Sequence, residues 1–302
     1  MKKFNKVLIA NRGEIAIRVL RSCKELGIET VSIHSQADED SLHVKLADES
    51  VCIGPAKSNL SYLNIHSVLS AAEITGADAI HPGYGFLSEN DEFSKMCEQC
   101  GIAFIGPNIS CLQKMGDKIE SKEIAREAKV PTLDPIYVNK LSDKEIVEKV
   151  KEMGFPVLIK ASAGGGGRGM KRINDESDLL SSIEILKQES MNAFGDDTLF
   201  IEKFISNPRH IEIQILADKF GNIRHLGERD CTIQRRFQKI LEESPSPVID
   251  NKTRDEMCQA SIRLAKKVGY DSVGTVEFLY DLDDKKFYFM EMNTRIQVEH
   301  PV

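Results

Sequence analysis

The first third of the chain alternates short apolar runs with stretches of helical spacing. The runs KVLIA and ETVSIHS predict strands, and GEIAIRVLRSCKELG between them predicts a helix that ends at Gly27. ADAIHPGYG and IAFIGP repeat the strand-then-turn pattern on either side of the helical stretch DEFSKMCEQCG. This βαβ order predicts an α/β unit with a parallel sheet and covering helices, at roughly residues 1–114.

The pattern changes after this unit. DKIESKEIAREAK predicts a helix that stops before Pro131, and SDKEIVEKVKEMG predicts one that begins with the capping-box residues Ser142 and Glu145. PVLIKAS and MKRIN predict two strands on either side of a glycine run, and DESDLLSSIEILKQES predicts another helix.

Strands dominate from roughly residue 199 to the end. LFIEKFI, HIEIQILAD and NIRHLGE predict three of them, and TRDEMCQASIRLAKKVG predicts one long helix. GTVEFLYDLDDKKFYFMEMN then predicts a hairpin with its turn around Asp283 and Asp284. The second part of the chain is therefore predicted to be α+β with antiparallel strands, at roughly residues 115–302.

Composition limits the classes of function. The 302 residues are 41% hydrophobic and carry 47 acidic against 40 basic side chains, a formal charge of -7, which argues against nucleic acid as the main partner. No apolar run approaches the ~20 residues that cross a bilayer, and MKKFNKVLIANRGE has too short an apolar core for a signal peptide. A cytoplasmic protein without a membrane partner is expected. Cys97 and Cys100 form one CEQC pair, which cannot complete a zinc site alone.

The stretch ASAGGGGRGM holds four consecutive glycines after Lys160. It matches G-x-G-x-x-G formally, but a strand follows it where a dinucleotide fingerprint needs a helix. It lacks the Gly-Lys-Ser/Thr of a Walker A loop, and its lysine precedes the glycines, unlike the order in a protein kinase. Two interpretations remain from this stretch alone: a hairpin that offers backbone N–H groups to phosphate, or a mobile surface turn.

Polar side chains occupy every second position of EMNTRIQVEH: Glu291, Asn293, Arg295, Gln297 and Glu299. On an extended backbone they lie on one face about 6.5 Å apart, and Glu277 lies close to opposite Glu291 on the preceding strand. Two carboxylates and an amide oxygen suit Mg²⁺, and the arginine and second carboxylate suit an anionic substrate and a base. The alternative is a solvated face of an amphipathic strand.

Together these motifs resemble a known family. KASAGGGGRGM, NPRHIEIQ, RDCTIQRRFQK and EMNTRIQVEHP resemble biotin carboxylase, a member of the ATP-grasp superfamily, and IANRGEIAIRV and HPGYGFLSEN resemble its N-terminal domain. The resemblance covers the whole chain and extends to the components of acetyl-CoA, propionyl-CoA and pyruvate carboxylases. It implies a Rossmann-like domain at 1–114 and an ATP-grasp domain at 115–302 with a lid at about 131–203.

The resemblance also implies a nucleotide site between the lid and the larger sheet. ATP would be held by Lys118, Lys160, Gly166, Gly167, Glu202, Lys203, Phe204, Ile205, His210 and Gln234. Mg²⁺ or Mn²⁺, expected as two ions, would be bound by Glu277, Glu291 and Asn293. Phe237 occupies a position where the family often has a polar residue, which puts one nucleotide contact in doubt.

The implied chemistry is formation of carboxyphosphate from bicarbonate and ATP, followed by carboxylation of biotin. Lys239, Arg295, Gln297 and the backbone of Val298 would hold bicarbonate, and Glu299 would take its proton. Arg295 would also steady the biotin enolate, so that Lys239, Arg295 and Glu299 are the expected catalytic residues. Tyr84 is expected either to border the biotin pocket or to pack at the domain junction.

The expected partners are a biotin carboxyl carrier protein and a carboxyltransferase, with acetyl-CoA carboxylase of fatty acid synthesis as the expected system and a homodimer as the full-length form. In the family a further C-terminal domain completes the sheet, supplies another arginine and forms the dimer contact. A chain that stops at HPV is therefore expected to be truncated, with impaired folding or turnover. The alternatives are another ATP-grasp ligase that makes an acyl or carbamoyl phosphate, or a fragment that binds ATP without turnover.

Overall fold

A parallel five-stranded sheet forms the N-terminal part of the chain in the computed structural model, which describes residues 4–163, 169–236 and 238–302. Its strands are β1 Lys6–Ile9, β2 Glu29–Ser35, β3 Glu49–Gly54, β4 Ala79–His81 and β5 Ala103–Phe104, in the order β3-β2-β1-β4-β5. The helices of this part are α1 Gly13–Glu25, α2 Leu42–Leu46, α3 Ile65–Thr75, α4 Asp91–Gln99 and α5 Ile109–Gly116. The predicted α/β unit with a parallel sheet is confirmed.

Alternation along β1 explains why helices cover both faces of this sheet. Val7 and Ile9 pack with α1, whereas Leu8 belongs to a second buried cluster that includes residues of α3 and α4. Because successive side chains of a strand point to opposite faces, one apolar run supplies both cores. The sequence analysis did not assign β3, since half of this edge strand is exposed and its apolar pattern is weak.

A larger antiparallel sheet forms the C-terminal part. Its strands are β10 Pro208–Ala217, β11 Ile223–Arg235, β12 Gln238–Glu243, β13 Val273–Asp281 and β14 Lys286–Asn293, in the order β12-β11-β10-β13-β14. The helices α6 Lys118–Glu127 and α9 Asn251–Val268 contact it. On β10, Ile211, Ile213 and Ile215 are fully buried in the core that α9 shares. The alternate positions, His210, Glu212 and Gln214, therefore face the other side of the sheet.

A small antiparallel sheet lies between these two parts in sequence. It contains β6 Ile136–Tyr137, β7 Val157–Ala161, β8 Met170–Ile173 and β9 Leu199–Lys203, in the order β6-β9-β7-β8, with the helices α7 Asp143–Met153 and α8 Leu179–Phe194. The predicted capping box of Ser142 and Glu145 at the start of α7 is confirmed. The predicted antiparallel arrangement of the second part of the chain is confirmed as well, whereas the domain limits stay a prediction.

Short 3₁₀ helices occupy Gln36–Asp38, Ser58–Leu60, Val138–Lys140 and Glu176–Asp178. Among the helices of the described ranges, none is both long enough and apolar enough to cross a membrane.

Candidate active site

A cavity of about 930 Å³ opens between the small sheet, the large sheet and the loop after β4. Its volume falls within the roughly 300–1,000 Å³ that is typical of small-molecule sites. Most of the predicted site residues line it: Tyr84, Lys118, Lys160, His210, Gln234, Lys239, Glu277, Glu291, Asn293, Arg295, Gln297, Val298 and Glu299. The structure therefore brings residues from the two antiparallel sheets and from the loop after β4 to one place.

Two facing carboxylates stand on the β13–β14 hairpin. Its register places Glu277 directly opposite Glu291, as the sequence predicted. Glu277 is 3% exposed, and its Oε1 accepts hydrogen bonds from Asn293 Nδ2 at 2.7 Å and Gln297 Nε2 at 3.1 Å. Amide donors thus hold one carboxylate of the pair in a fixed orientation.

Lys239, on the edge strand β12, reaches into a group of three carboxylates. Its Nζ lies 2.5 Å from Glu212 Oε2, 2.9 Å from Glu277 Oε1 and 2.6 Å from Glu299 Oε1. The three glutamates come from β10, β13 and the segment after β14, so this one ammonium group joins distant parts of the chain. Only 18% of the lysine side chain is exposed, which makes these contacts stronger than surface ion pairs.

Burial and neighbouring charges move the pKa values of this group in opposite directions. Burial disfavours the charged form of Glu277, but His210 and Lys239 outweigh it and hold the pKa of Glu277 below its usual range. Burial likewise opposes the charged form of Lys239, but Glu277 and Glu212 raise the pKa of Lys239 above its usual value. For Glu291, burial and then the charge of Glu277 both raise the pKa. Glu291 is therefore the member whose negative charge is least compensated.

His210 connects Glu277 to the β11–β12 end of the cavity. Its Nε2 lies 2.9 Å from Glu277 Oε2, and its Nδ1 lies 2.9 Å from Gln234 Nε2. Burial lowers the pKa of His210, but the contact with Glu277 outweighs burial and the pKa is raised overall. The histidine is thus held between a carboxylate and an amide that fix its ring plane.

A second group of cations lies where α6 meets the small sheet. Lys160 Nζ on β7 contacts Glu202 Oε2 at 2.7 Å, and Lys122 Nζ on α6 contacts Glu202 Oε1. Lys122 also lies 5.0 Å from the centre of the Phe200 ring. Lys118 begins α6 one turn before Lys122 and lines the same cavity. These three lysines form a lysine wall around one buried carboxylate, where burial lowers the pKa of Lys122 to about 6 and that of Lys160 to about 8.

Arg295 is held at the junction with the N-terminal part of the chain. Its Nε donates to Glu89 Oε2 at 3.0 Å, and its Nη2 donates to Asn293 Oδ1 at 3.1 Å. Glu89 also accepts from the backbone N–H of Thr294 at 3.0 Å. The loop after β4 therefore positions the segment that carries Arg295.

The extended conformation expected for residues 291–299 holds only for the first part of this stretch. Strand β14 ends at Asn293, and Val302 N–H donates to Glu299 O at 3.0 Å in a turn. The alternate residues still line the cavity, because a loop and a turn, rather than a continuous strand, carry Arg295, Gln297 and Glu299 there. Val298 is 58% exposed, although it also lines the cavity.

Tyr84 lies in the loop after β4, and the side chain of Asn11 stabilises this loop through hydrogen bonds to its backbone. Asn11 Nδ2 donates to Pro82 O at 2.8 Å and to Tyr84 O at 2.7 Å, and Tyr84 Oη donates to Glu14. Tyr84 both lines the cavity and packs against the apolar cluster that includes Ile296. The packing at the domain junction is thus observed, whereas a position at the border of a biotin pocket stays a prediction.

Several residues that were predicted to bind the nucleotide have side chains that contact other parts of the protein. Lys203 Nζ donates to Gly154 O at 2.8 Å, and the Phe204 ring lies 4.2 Å from the guanidinium of Arg172. Ile205 is buried, and Phe204 N–H donates to Pro156 O at 3.1 Å. The predicted residues Gly166 and Gly167, and Phe237 with its doubtful contact, lie outside the described residues.

The sequence analysis missed four residues that touch the predicted ones. Glu212 and Glu89 hold Lys239 and Arg295, Lys122 shares Glu202 with Lys160, and Arg229 contacts Gln297. The period-two pattern of NPRHIEIQ could have indicated Glu212, which follows His210 on the same face. The spacing of four residues between Lys118 and Lys122 could have indicated the second lysine.

Comparison with protein families matches almost the whole chain. Residues 3–112 match the family described as biotin carboxylase, N-terminal domain. Residues 117–302 match the family described as carbamoyl-phosphate synthase L chain, ATP binding domain.

Individual relatives agree with these matches. Biotin carboxylase of Nostoc sp. is 53% identical over 300 residues, which cover 99% of this chain and 67% of that protein. Biotin carboxylase 1 of Bacillus subtilis is 53% identical over 297 residues, or 98% and 66% of the two chains. The mitochondrial propionyl-CoA carboxylase alpha chain of Homo sapiens is 54% identical over 302 residues, which cover all of this chain but 41% of the human one. The chain thus spans about two-thirds of the length of the first two relatives and less of the third.

Solved structures are also similar. A biotin carboxylase–beta-gamma-ATP complex from Campylobacter jejuni gives a TM-score of 0.94 at 49% identity, covering 99% of this chain and 67% of that one. The biotin carboxylase domain dimer of 2-oxoglutarate carboxylase from Hydrogenobacter thermophilus, in complex with MgADP, ADP and bicarbonate, gives 0.92 at 49% identity. It covers all of this chain and 66% of that one.

Proposed function

Since the chain belongs to the biotin carboxylase family, we propose that its cavity carries out the ATP-dependent carboxylation of biotin with bicarbonate, a ligase reaction. One observation carries the proposal: a single cavity contains a lysine cluster, two facing carboxylates and a cation–carboxylate group suited to a small oxyanion. Biotin on a carrier protein is the proposed acceptor, and carboxyphosphate is the proposed intermediate.

The donor set fits Mg²⁺ or Mn²⁺. Glu277 and Glu291 face each other on the hairpin, the charge of Glu291 is poorly compensated, and Asn293 adds an amide oxygen nearby. Hard oxygen ligands of this kind suit a hard divalent cation. When bound, the metal supplies positive charge to the transferring phosphoryl group. We assign the binding of two such ions to Glu277, Glu291 and Asn293.

The lysine wall is proposed to bind the phosphates of ATP. Lys118 and Lys160 line the cavity, and Glu202 holds the Lys160 side chain in place. Fixed positive charges cost little reorganisation when charge moves during phosphoryl transfer. Gly166 and Gly167 are proposed to cover the phosphates as part of the lid, which excludes water from the reactive intermediate.

Nucleotide affinity is expected to fall as the pH rises from 7 to 9. Burial, and then the charge of Lys118, lower the pKa of Lys160 to about 8, so this lysine loses its proton in that range. A bound phosphate favours the protonated form, so linkage gives a loss of up to about tenfold in affinity per pH unit above the pKa. Calorimetric titration with MgADP at pH 7, 8 and 9 measures this dependence. Lys160→Arg is the control, because it stays charged; a profile for this variant as steep as that of the unaltered protein would contradict the assignment.

The adenine is proposed to lie against residues 202–205, with His210 and Gln234 nearby. Support comes from the positions of His210 and Gln234 in the cavity wall and from β9, which carries the start of that segment beside Lys160. The side chains of Lys203 and Phe204 are engaged elsewhere, so the contribution proposed for them comes from the backbone.

Bicarbonate is proposed to bind beside Lys239 and Arg295, with Gln297 and the backbone of Val298. The two cations attract the anion, and Arg295 presents a planar fork that matches its oxygens. Glu299, 2.6 Å from Lys239, is proposed to take the bicarbonate proton so that the resulting anion attacks the γ-phosphate. Arg295 is also proposed to steady the biotin enolate, with Tyr84 at the border of the biotin pocket.

The proposed partners are a biotin carboxyl carrier protein, a carboxyltransferase and a second copy of the protein. Acetyl-CoA carboxylase is the proposed system, and the biotin carboxylases among the relatives support it. The human propionyl-CoA carboxylase chain is about as identical to this chain as the Bacillus subtilis biotin carboxylase is. The deciding experiment therefore compares carboxylation of the biotin carrier protein of acetyl-CoA carboxylase with carboxylation of the biotin carrier of propionyl-CoA carboxylase. The cytoplasmic location stays a prediction.

Free biotin is expected to stimulate release of ADP from ATP in the presence of Mg²⁺ and bicarbonate. The reason is that biotin accepts the carboxyl group of carboxyphosphate, which frees the site for the next reaction cycle. Coupled detection of ADP with and without biotin measures this. ATP binding without turnover would overturn the proposed function in favour of a fragment that only binds ATP, and turnover that biotin does not change would favour another ATP-grasp ligase.

A further inference from the structure

Arg229 lies buried behind the part of the cavity assigned to bicarbonate. Its side chain is 4% exposed, and it comes from β11, in the motif whose Lys239 and Gln234 were singled out in the sequence. Its guanidinium donates to Glu212 Oε1 at 2.5 Å, Gln214 Oε1 at 3.0 Å, Thr275 Oγ1 at 3.3 Å and Gln297 Oε1 at 3.1 Å. Every one of its three nitrogens is therefore used.

The first consequence concerns the orientation of the Gln297 amide. Its Oε1 accepts from Arg229, and its Nε2 donates to Glu277 Oε1 at 3.1 Å. This arrangement leaves the amide one favourable orientation. In the reverse orientation the amide NH₂ would face the guanidinium of Arg229, and the amide oxygen would face the carboxylate of Glu277. Arg229 thus determines which end of Gln297 is directed at Glu277.

The second consequence concerns Lys239. Arg229 binds Glu212 Oε1, and Lys239 binds the other oxygen of the same carboxylate at 2.5 Å. Arg229 fixes the Glu212 side chain through this hydrogen bond, and Glu212 in turn holds Lys239 beside Glu299. A guanidinium can do this in a buried place because it stays protonated and its planar fork reaches several acceptors at once.

We propose that Arg229 is a positioning residue for the bicarbonate part of the site, which it orients through Gln297 and Glu212 without touching the substrate. The inference rests on the proposed function. It predicts that loss of Arg229 weakens the binding of bicarbonate, whereas binding of ATP at the lysine wall around Glu202 is unchanged.

The test compares Arg229→Lys with Arg254→Lys. Arg254 Nε lies 2.7 Å from the buried carboxylate of Glu228, which is the residue before Arg229 on β11. Arg254 is not among the described residues that line the cavity. Arg229→Lys is expected to raise the KM for bicarbonate about 10- to 100-fold, the usual cost of losing an orienting partner, with the KM for ATP changed less than about twofold. Arg254→Lys is expected to change neither, and the melting temperatures of both variants show that they are folded.

A second measurement separates positioning from general destabilisation. In a Gln297→Ala background, Arg229→Lys is expected to raise the KM for bicarbonate by a smaller factor than in the unaltered protein, because the amide it orients is gone. Equal factors in both backgrounds, or equal KM values for the two arginine variants, would overturn the inference alone. Absence of bicarbonate-dependent ADP release from the unaltered protein would overturn the proposed function, and the inference with it.

Discussion

Replacing Lys239 with methionine is expected to abolish bicarbonate-dependent ADP release and to destabilise the protein. The ammonium lies within 2.5 to 2.9 Å of Glu212, Glu277 and Glu299, and two of these glutamates are almost fully buried. Removing one partner of a buried ion pair leaves uncompensated charge and costs about 3–5 kcal/mol in the free energy of unfolding. It also removes a proposed bicarbonate ligand, which should lower turnover about a thousandfold.

The loss of stability should depend on pH in a definite direction. Lys239 is one of the groups that hold the pKa of Glu277 below its usual range, so removing it raises that pKa from its depressed position. A depressed carboxyl pKa contributes stability that is present above the unfolded pKa and is lost as the pH falls through the folded pKa, so the cost of the substitution should be full at pH 8 and smaller at pH 3.5. Denaturant unfolding at pH 8 and pH 3.5 measures this. Lys252→Met, at a side chain that is 85% exposed, is the control and should change the free energy by less than about 0.5 kcal/mol. An equal loss at both pH values would refute the electrostatic explanation.

Local pattern predicted those parts of the fold that depend on near neighbours in sequence. The β13–β14 hairpin is an example, because its turn at Asp283 and Asp284 sets the regular pairing of the strands as far as Phe278 and Phe289. The register shift that then brings Glu277 opposite Glu291 lies outside that regular pattern. The helix α7 is another, since its capping box is a signal between residues three apart. Neither feature needs information about the rest of the chain.

Contacts between distant segments could not be predicted in this way. Glu89 is 206 positions from Arg295, and Lys239 is 60 positions from Glu299, so neither pairing leaves a periodic trace. The segment after Asn293 is instructive in another way. Its alternation indicated the right residues, but they reach the cavity through a loop held by Glu89 and a turn, which the period alone could not distinguish from a strand.

Three cations of the cavity share one property that bears on ligand binding. Lys160 is paired with Glu202, Lys239 with Glu299, and Arg295 with Glu89. Substrate anions must therefore compete with carboxylates that already hold these groups in place. Such pairing lowers the gain from each new contact, but it also keeps the cations oriented before the substrates arrive, so less reorganisation is needed during the reaction.

Replacing Glu291 with glutamine is expected to separate stability from activity. Burial and the charge of Glu277 raise the pKa of Glu291, so its ionised form costs stability above that pKa when no metal is bound. Glutamine removes the charge and keeps the shape, so the metal-free protein should become more stable at pH 8, on the order of 1 kcal/mol for each unit by which the pKa is raised. Below the unfolded pKa the difference should vanish, because the carboxyl group is then neutral in both states.

The same change should remove most of the activity and the response to metal. A proposed Mg²⁺ ligand is lost, and with it about 4 kcal/mol of transition-state stabilisation, or about a thousandfold in rate. Melting temperatures from pH 4 to 8, without nucleotide and then with MgADP, measure the stability and the response to metal, and bicarbonate-dependent ADP release measures the activity. Asp283→Asn, on the turn of the same hairpin, should leave stability and the MgADP response close to those of the unaltered protein. A Glu291→Gln variant that is less stable than the unaltered protein without metal, yet equally stabilised by MgADP, would show that Glu291 is a structural residue and not a metal ligand.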